Sequence, residues 1–172
     1  MNKKNIICII PARGGSKGLL NKNIINFMDK PLLVHSVDYA KKSNLISNIY
    51  VSTDDKKIAE IALENNAKVI DRPKEISGDE ATTESAIFHL LEELSYKPDI
   101  IILLQPTSPL RNNIHIDEAF DLLIKKKADA VISVCKTDHS PLWSNTLPDD
   151  GSMKNFMSKK IKNLRSQDLP VF

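Results

Sequence analysis

The residues best suited to chemistry stand between Pro11 and Asn23, directly after a short apolar run. This segment contains three cations, Arg13, Lys17 and Lys22. It also contains the glycines Gly14, Gly15 and Gly18. Glycine permits backbone angles and close approach that a Cβ would block, and backbone N–H groups in a loop after a strand bind phosphate oxygens. The segment therefore predicts a loop that holds a nucleoside triphosphate.

The loop matches neither of the two common phosphate-binding sequences. A P-loop requires Gly-Lys-Ser/Thr, but Gly18 is followed by Leu19. A dinucleotide loop requires GxGxxG, which the stretch from Gly14 to Gly18 does not supply. On the residues alone, a solvent-exposed basic turn stays open as the alternative.

The elements that must position this loop alternate between strand-like and helix-like segments. Short runs of Ile, Val and Leu are typical of strands buried on both faces. The predicted strands are Ile6–Ile10, Ile49–Thr53, Ala67–Ile70, Ile100–Leu104 and Ala130–Cys135. The predicted helices are Leu32–Lys42, Lys56–Asn65, Ala81–Leu94 and Ile114–Lys125. This alternation predicts an α/β fold, a mostly parallel sheet with helices on both faces.

Ligands bind at the carboxyl ends of the strands in such a sheet. The loops there, which we predict as walls of the site, are Pro11–Asn23, Asp54-Asp55, Asp71–Glu80 and Gln105–Asn113. In the last loop Gln105, Thr107 and Ser108 are uncharged donors and acceptors that suit a hydroxyl-rich sugar. A turn whose hydroxyls cap the next helix is the alternative, although Asn112 or Asn113 is the better cap. For Asp54-Asp55, capping the second helix is favoured over binding a metal.

Composition favours one soluble domain with an ordinary core. The chain has 172 residues, 41% hydrophobic and 27% charged, and a net charge of +2, which is too small to argue for nucleic acid. No apolar run is long enough to span a membrane, and no signal peptide precedes the first strand. Cys8 and Cys135 both fall in predicted strands, so we expect reduced core cysteines in a cytoplasmic protein.

The sequence changes character after Cys135. Residues 136–172 have no clear period, yet they contain many large apolar side chains, among them Leu142, Met153 and Phe156. A solvated tail rarely contains so many. We therefore predict a core over residues 1–135 and an extended arm over 136–172. The arm packs on a second subunit in one interpretation and on its own domain in the other.

Four segments together resemble the acylneuraminate cytidylyltransferases, also called CMP-sialic acid synthetases. They are Ile10–Gly18 with Lys22-Asn23, Val51–Asp54, Arg72-Pro73 with Ala81 and Thr83, and Leu103–Arg111. The stretch Leu164–Pro170 also matches, beyond the family's dimerisation arm. The resemblance covers essentially the whole chain. It implies a Rossmann-like three-layer nucleotidyltransferase sheet with a C-terminal dimerisation arm. The implied reaction joins CTP and a nine-carbon nonulosonic acid to give a CMP-sugar and pyrophosphate, with Mg²⁺ as cofactor in a bacterial cytoplasm.

The resemblance also implies roles for individual residues. Lys22 and Arg13 would be catalytic, with Lys22 near the α-phosphate. The implied CTP-binding residues are Arg13, Gly14, Gly15, Ser16, Lys17, Lys22, Asn23, Arg72, Ala81 and Thr83, of which Arg72, Ala81 and Thr83 would read cytosine. The implied sugar-binding residues are Gln105, Thr107, Ser108 and, from a neighbouring subunit, Arg165.

The family continues beyond the last residue of this chain, Phe172, into an acidic Asp-x-Asp segment that binds magnesium. We therefore expect a fragment or a shortened member with weak activity, and the metal ligands stay unknown. Two further alternatives are open. The sugar could be another acid such as KDO, or the chain could be a non-catalytic oligomerisation remnant that keeps the nucleotide fold. The histidines form no catalytic triad with the serines. His35 and His89 fall in predicted helices and are expected to be packed or exposed rather than catalytic.

Overall fold

The computed structural model of the chain describes residues 4–138, 140–146, 149–150 and 152–153. The chain divides into two compact units, Met1–Asp129 and Ala130–Phe172. The predicted division at residue 135 stays a prediction. The predicted nucleotide- and sugar-binding residues lie in the first unit, apart from Arg165, which is outside the described residues.

The first unit alternates strands and helices as predicted. Its strands are β1 (Ile6–Pro11), β2 (Asn26–Phe27), β3 (Lys30–Pro31), β4 (Asn48–Thr53), β5 (Lys68–Asp71) and β6 (Ile100–Leu103). Its helices are α1 (Leu32–Lys42), α2 (Lys56–Glu64), α3 (Thr83–Glu93) and α4 (Asn113–Lys126). The bounds differ from the predicted ones by two residues at most, and α1 matches at both ends.

The main sheet has the strand order β5-β4-β1-β6, and all neighbouring pairs are parallel. Parallel strands need a crossover connection, which the helices supply. The carboxyl ends of β1, β4, β5 and β6 therefore lie at the same edge of the sheet. The mostly parallel sheet with flanking helices that the sequence predicted is confirmed.

Strand β1 lies at the centre of the sheet and supplies side chains to both faces. Cys8 and Ile10 pack in a cluster with buried residues of α1, α2 and α4, whereas Ile7 and Ile9 pack with Leu90 of α3. Alternate residues of a strand point to opposite faces, so a continuous apolar run is what a doubly covered strand requires. Burial also raises the pKa of the Cys8 thiol, which keeps it protonated.

Side-chain caps set the starts of three helices. The Asp55 carboxylate accepts from the N–H groups of Lys57 and Ile58 at 2.8 and 3.0 Å and caps α2. Thr82 caps α3, and Asn112 caps α4 in a reciprocal capping box with His115. These contacts satisfy N–H groups that a helix start leaves without partners. The cap predicted at Asp54-Asp55 is confirmed and is Asp55, and of the two predicted candidates Asn112 and Asn113, Asn112 is the cap.

A short hairpin of β2 and β3 was not predicted. Its turn residues Met28 and Asp29 both have positive φ, at 49° and 69°. A two-residue turn with positive φ at both positions favours Asn-Gly, so the sequence Met-Asp did not indicate a hairpin. The His35 ring of α1 holds the hairpin, because its Nε2 lies 2.6 Å from the carbonyl oxygen of Phe27. His35 is buried, as expected for a packing residue.

The predicted strand Ala130–Cys135 is wrong. These residues form no strand in the structure, and Ile132 and Val134 are 81% and 86% exposed. The β-branched residues Val131, Ile132 and Val134 gave the strand signal. That preference reports how well a side chain fits a paired, half-buried sheet, and no strand pairs with this segment here. Cys135 is accordingly exposed, and its predicted core position is also wrong.

Candidate active site

A cavity of about 260 Å³ opens at the carboxyl edge of the main sheet. Its walls come from three of the four predicted loops, those after β1, β5 and β6. Among the described residues, the lining consists of Pro11, Arg13, Ser16, Lys22, Asn23, Arg72, Ala81, Thr82, Thr83, Gln105, Pro106 and Thr107. Residues far apart in the chain thus form one polar site, where the topology of a parallel sheet predicts it.

The loop after β1 is fixed by hydrogen bonds at two points. The Gly14 N–H donates to Asp54 Oδ1 at 2.9 Å, and the buried Asn23 amide donates to the carbonyl oxygen of Arg13 at 2.9 Å. A Cβ at Gly14 would lie 2.8 Å from the Asp55 Cβ, so this position requires glycine. Gly15 and Gly18 face open space, and no such requirement applies to them.

The segment that follows the loop presents Lys22 to the cavity. Lys22 and Asn23 begin a short 3-10 helix, Lys22–Ile24, which starts after Asn21 in the left-handed region at φ 54°. Asn23 is 6% exposed, so the residue beside Lys22 is anchored in the protein. A cation next to a buried anchor has a restricted position, which suits it to stabilise charge at one point.

Arg13 and Lys17 share one carboxylate, that of Asp79. Arg13 donates to Asp79 Oδ1 at 3.0 Å and to the carbonyl oxygen of Gly78 at 2.6 Å. The Lys17 ammonium pairs with the other oxygen of Asp79. These contacts, with Lys17 the largest cause, hold the pKa of Asp79 below its usual value. Asp79 lies within a loop that the sequence predicted as a site wall, but this pairing was not predicted.

Arg72 is held in a different way, by burial. It is 6% exposed, and its Nε and one terminal nitrogen donate to Ser52 Oγ at 3.0 Å and to the Ser52 carbonyl at 2.7 Å. Burial lowers the pKa of Arg72, and the nearby Asp54 carboxylate acts in the opposite direction. Arg72 is therefore buried and bonded to Ser52, and does not form a surface ion pair. The guanidinium is fixed by the end of β4 and lines the cavity, ready to donate to a planar ligand.

The loops after β5 and β6 supply neutral polar groups. Thr83 is the first residue of α3 and Thr82 is its cap, so the hydroxyl of Thr82 accepts from the Ser85 N–H at 3.2 Å. After β6, the Ser108 N–H closes a turn onto the carbonyl of Gln105 at 3.3 Å. Gln105 and Thr107 line the cavity. Because Asn112 caps α4, the hydroxyl of Thr107 is not needed for that role.

The structure therefore brings most of the predicted site residues together. Predicted residues that line the cavity are Arg13, Ser16, Lys22, Asn23, Arg72, Ala81, Thr83, Gln105 and Thr107. Gly14, Gly15, Lys17 and Ser108 lie in the same loops but not in this lining, and Arg165 lies outside the described residues. Three further residues line the cavity and were not predicted as site residues: Pro11, Thr82 and Pro106. Pro11 begins the first loop, and Thr82 and Pro106 each neighbour a predicted residue.

The described residues do not fit a magnesium site. In that part of the chain, no group of three His, Cys, Asp or Glu side chains is placed to hold a metal ion. Asp54 accepts from Gly14, and Asp55 caps α2, so both carboxylates have structural partners. Separately, within the described residues no helix has the length and apolar character to cross a bilayer.

Solved structures of cytidylyltransferases share this fold. A CMP:2-keto-3-deoxy-manno-octonic acid synthetase complexed with CTP matches with a TM-score of 0.62 and 21% identity, over 72% of this chain and 49% of that one. A cytidylyltransferase from Leptospira borgpetersenii serovar Hardjo-bovis matches with a TM-score of 0.59 and 24% identity, over 72% of this chain and 50% of that one. At these identities the likeness shows the fold alone.

Relatives found by sequence have a higher identity to this chain than these solved structures do. An N-acylneuraminate cytidylyltransferase of Streptococcus agalactiae serotype V is 38% identical over 95% of this chain, which spans 40% of that relative's length. A pseudaminic acid cytidylyltransferase of Campylobacter jejuni is 34% identical, over 95% of this chain and 72% of the relative. A CMP-N,N'-diacetyllegionaminic acid synthase of Legionella pneumophila is 34% identical, over 97% and 70%.

A family profile described as Cytidylyltransferase matches residues 7–168, almost the whole chain. The matched stretch contains all three loops that line the cavity, together with Lys22 and Arg72. With this match and relatives above 30% identity over most of their own length, the chain belongs to the cytidylyltransferase family.

Proposed function

We propose that the cavity binds CTP and a nonulosonic acid and transfers the cytidylyl group to the sugar, releasing pyrophosphate. The observation that carries this proposal is the single cavity that joins Arg13 and Lys22 with the buried Arg72 and the neutral Gln105 and Thr107. The sequence relatives support it, because three of them are named for different sugar acids. The particular acid differs among them, so the proposal names the class.

Lys22 and Arg13 would act on the phosphates. Charge builds on the bridging oxygen between the α- and β-phosphorus as pyrophosphate leaves, and a fixed cation stabilises that charge more than it stabilises bound CTP. Lys22 suits this role because its neighbour Asn23 is buried and bonded to the Arg13 carbonyl. The sugar hydroxyl attacks the α-phosphorus in line, so the protein contributes positioning and charge neutralisation.

Arg72 would read the base. Cytosine presents a carbonyl oxygen and a ring nitrogen as acceptors beside its amino donor. A guanidinium held by Ser52 can donate to those acceptors without losing much side-chain entropy, because burial has already fixed it. Ala81 and Thr83 line the same wall and offer backbone groups and a hydroxyl to the rest of the base edge.

Gln105, Thr107 and Ser108 would bind the sugar. Gln105 and Thr107 line the cavity on the side formed after β6, and Ser108 belongs to the same turn. The sugar carboxylate would meet Arg165 from a second subunit, which makes the 136–172 arm a dimerisation element in this proposal. KDO is the second candidate sugar; a CMP:2-keto-3-deoxy-manno-octonic acid synthetase shares the fold.

Mg²⁺ is proposed only as part of the substrate, bound to the phosphates of CTP. The described residues offer no cluster of ligands for it, so every role above is assigned to protein side chains. Addition of EDTA during calorimetric titration with CTP reports whether the bound ligand is the metal complex.

The test begins with binding. A ligand that binds the folded chain raises its melting temperature, so CTP is expected to raise it more than ATP at equal concentration. Product formation is then measured by chromatography with N-acetylneuraminic acid and KDO as competing acceptors. An equal rise in melting temperature with CTP and ATP would contradict the proposal. The absence of any rise with CTP would also contradict it and would favour a non-catalytic remnant.

Lys22→Ala tests the catalytic assignment within the proposal. We expect kcat to fall about a hundredfold to a thousandfold while the melting temperature of the free protein changes little, because Lys22 contributes charge to the reaction. Lys125→Ala, in the last turn of α4, is the control for loss of a lysine. A Lys22→Ala variant with unchanged turnover would remove Lys22 from the mechanism.

A further inference from the structure

Asp79 is the anion that two of the predicted phosphate-binding cations contact in the structure. Arg13 and Lys17 approach different oxygens of the same carboxylate. The sequence separation of Arg13 and Asp79 is 66 residues, so this contact is made by the tertiary fold rather than by a local turn. Arg13 also donates to the carbonyl oxygen of Gly78 at 2.6 Å, which adds a neutral partner from the same loop.

The cluster is exposed enough to exchange partners. The side chains of Arg13, Lys17 and Asp79 are 30%, 81% and 42% exposed. Exposed ion pairs contribute little to stability because water screens them, so a ligand with a higher negative charge can replace the carboxylate at small cost. Arg72 differs, because it is buried and bonded to Ser52.

From this geometry we propose that Asp79 is an internal competitor for the β- and γ-phosphates. Its carboxylate holds Arg13 and Lys17, gives them up to the triphosphate of CTP, and takes them back when pyrophosphate leaves. The inference rests on the proposed function, which assigns the Arg13–Lys22 loop to the triphosphate. Asp79 would then weaken the binding of CTP and of pyrophosphate together, and so speed release of the product.

CMP provides the internal comparison. Its single phosphate corresponds to the α-phosphate, which the proposed function places near Lys22, so CMP does not require Arg13 and Lys17 to leave Asp79. Removing the charge of Asp79 should therefore tighten the binding of pyrophosphate and CTP but not of CMP. A residue that merely held the loop in shape would weaken all three ligands when substituted.

The experiment is calorimetric titration of the full chain and its Asp79→Asn variant with inorganic pyrophosphate, CTP and CMP. We expect pyrophosphate and CTP to bind about threefold to tenfold more tightly to the variant, with CMP changed less than twofold. Asp38→Asn is the matched control, because Asp38 also pairs with a lysine, Lys30, away from the cavity lining. The control should leave all three affinities unchanged.

A double-mutant cycle with Lys17 tests the pairing of the two residues directly. Lys17→Ala should weaken pyrophosphate binding about threefold to tenfold, and the Asp79→Asn effect should shrink in a Lys17→Ala background because the two residues act as a pair. Unchanged or weaker pyrophosphate binding by Asp79→Asn, or an undiminished effect with Lys17 removed, overturns the inference.

The two proposals fail in different ways. If the unmodified chain binds CTP in preference to ATP but Asp79→Asn does not tighten pyrophosphate, only the role of Asp79 is wrong. If the chain shows no preference for CTP yet pyrophosphate tightens as expected, Asp79 still competes for an anion site and the proposed function is wrong.

Discussion

Arg72 and Arg13 have the same side chain but different surroundings. Arg72 is 6% exposed, and its donors are fixed by Ser52. Arg13 is partly exposed and shares the carboxylate of Asp79 with Lys17. A fixed guanidinium suits recognition of a flat base, whereas an exchangeable one suits a flexible phosphate chain. The two proposed roles therefore follow from the surroundings of each arginine, since the side chains themselves are identical.

Arg72→Lys is expected to weaken CTP binding about tenfold to a hundredfold. Lysine keeps the charge but cannot donate to both Ser52 oxygens in the planar geometry of a guanidinium, so the donors offered to cytosine lose their fixed direction. Ser52→Ala, which removes one acceptor and keeps the carbonyl, should have a smaller effect. Calorimetric titration with CTP measures both, and an unaltered affinity for Arg72→Lys would separate Arg72 from base recognition.

Gly14→Ala is expected to destabilise the protein by about 1–3 kcal/mol. The added Cβ would lie 2.8 Å from the Asp55 Cβ, and Asp55 is held in place as the cap of α2. Gly18→Ala is the matched control, since a Cβ there meets nothing within 4 Å. Urea unfolding of the two variants gives the comparison. Equal stabilities would mean that the loop moves away from Asp55 freely.

Among the secondary-structure elements, each strand of the main sheet is followed by a loop that either lines the cavity or holds a lining residue in place. The loops after β1, β5 and β6 line the cavity, while the end of β4 supplies Ser52 to hold Arg72 and leads to Asp54, which binds Gly14. The β4 loop is therefore a supporting wall. Asp54 fixes the loop after β1 and Asp55 caps α2, so each carboxylate has a structural partner.

The turn residues of the β2–β3 hairpin are expected to lower the stability of the fold. Met28 and Asp29 occupy left-handed positions that Asn and Gly adopt at lower cost. Replacing them together by Asn and Gly should stabilise the fold by about 0.5–1 kcal/mol, because the relief of left-handed strain exceeds the entropy cost of one added glycine. The urea midpoint measures the change. Leu110→Asn is the control, because Leu110 is similarly exposed without a positive φ. A loss of stability in the hairpin variant would show that Met28 makes a contact elsewhere.

At the level of the assembly, the described residues of the second unit include four exposed apolar side chains. Leu142 and Met153 are 40% and 59% exposed, and Ile132 and Val134 more so. Exposed apolar side chains that cluster are typical of surfaces that contact another chain. They support the proposal that the 136–172 arm joins two copies and brings Arg165 to a neighbouring site.

The chain is expected to sediment as a dimer, at about twice its mass of 19.3 kDa. Substituting Leu142 and Met153 by Ser should raise the dissociation constant at least tenfold, because each buried side chain contributes about 1.5–3 kcal/mol. Leu122→Ser, an exposed leucine of α4, is the control. A monomer at every concentration would end the role assigned to Arg165, and an unaffected dimer would place the interface outside the arm.

Local residue patterns predicted the strands of the main sheet to within one residue at each end, and the helices to within two. Runs such as Ile6–Ile10 are apolar without alternation, and only a strand covered on both faces requires that pattern. The cap positions at Asp54-Asp55 and Asn112-Asn113 could also be predicted, because a helix start needs a hydrogen-bond acceptor close by in the sequence. The prediction that the loop after β1 binds a triphosphate also came from local residue types, because cations and backbone N–H groups act over a few residues, and it stays a prediction.

Which residues contact one another depends on how the segments fold together. The pairing of Arg13 and Lys17 with Asp79, the bonds of Arg72 to Ser52, and the need for glycine at position 14 all depend on loops that approach from different strands. The failure of Ala130–Cys135 as a strand has the same origin, because a strand exists only where a neighbour pairs with it. Local sequence sets local conformation, whereas charge pairing, burial and close approach arise between segments that the fold brings together.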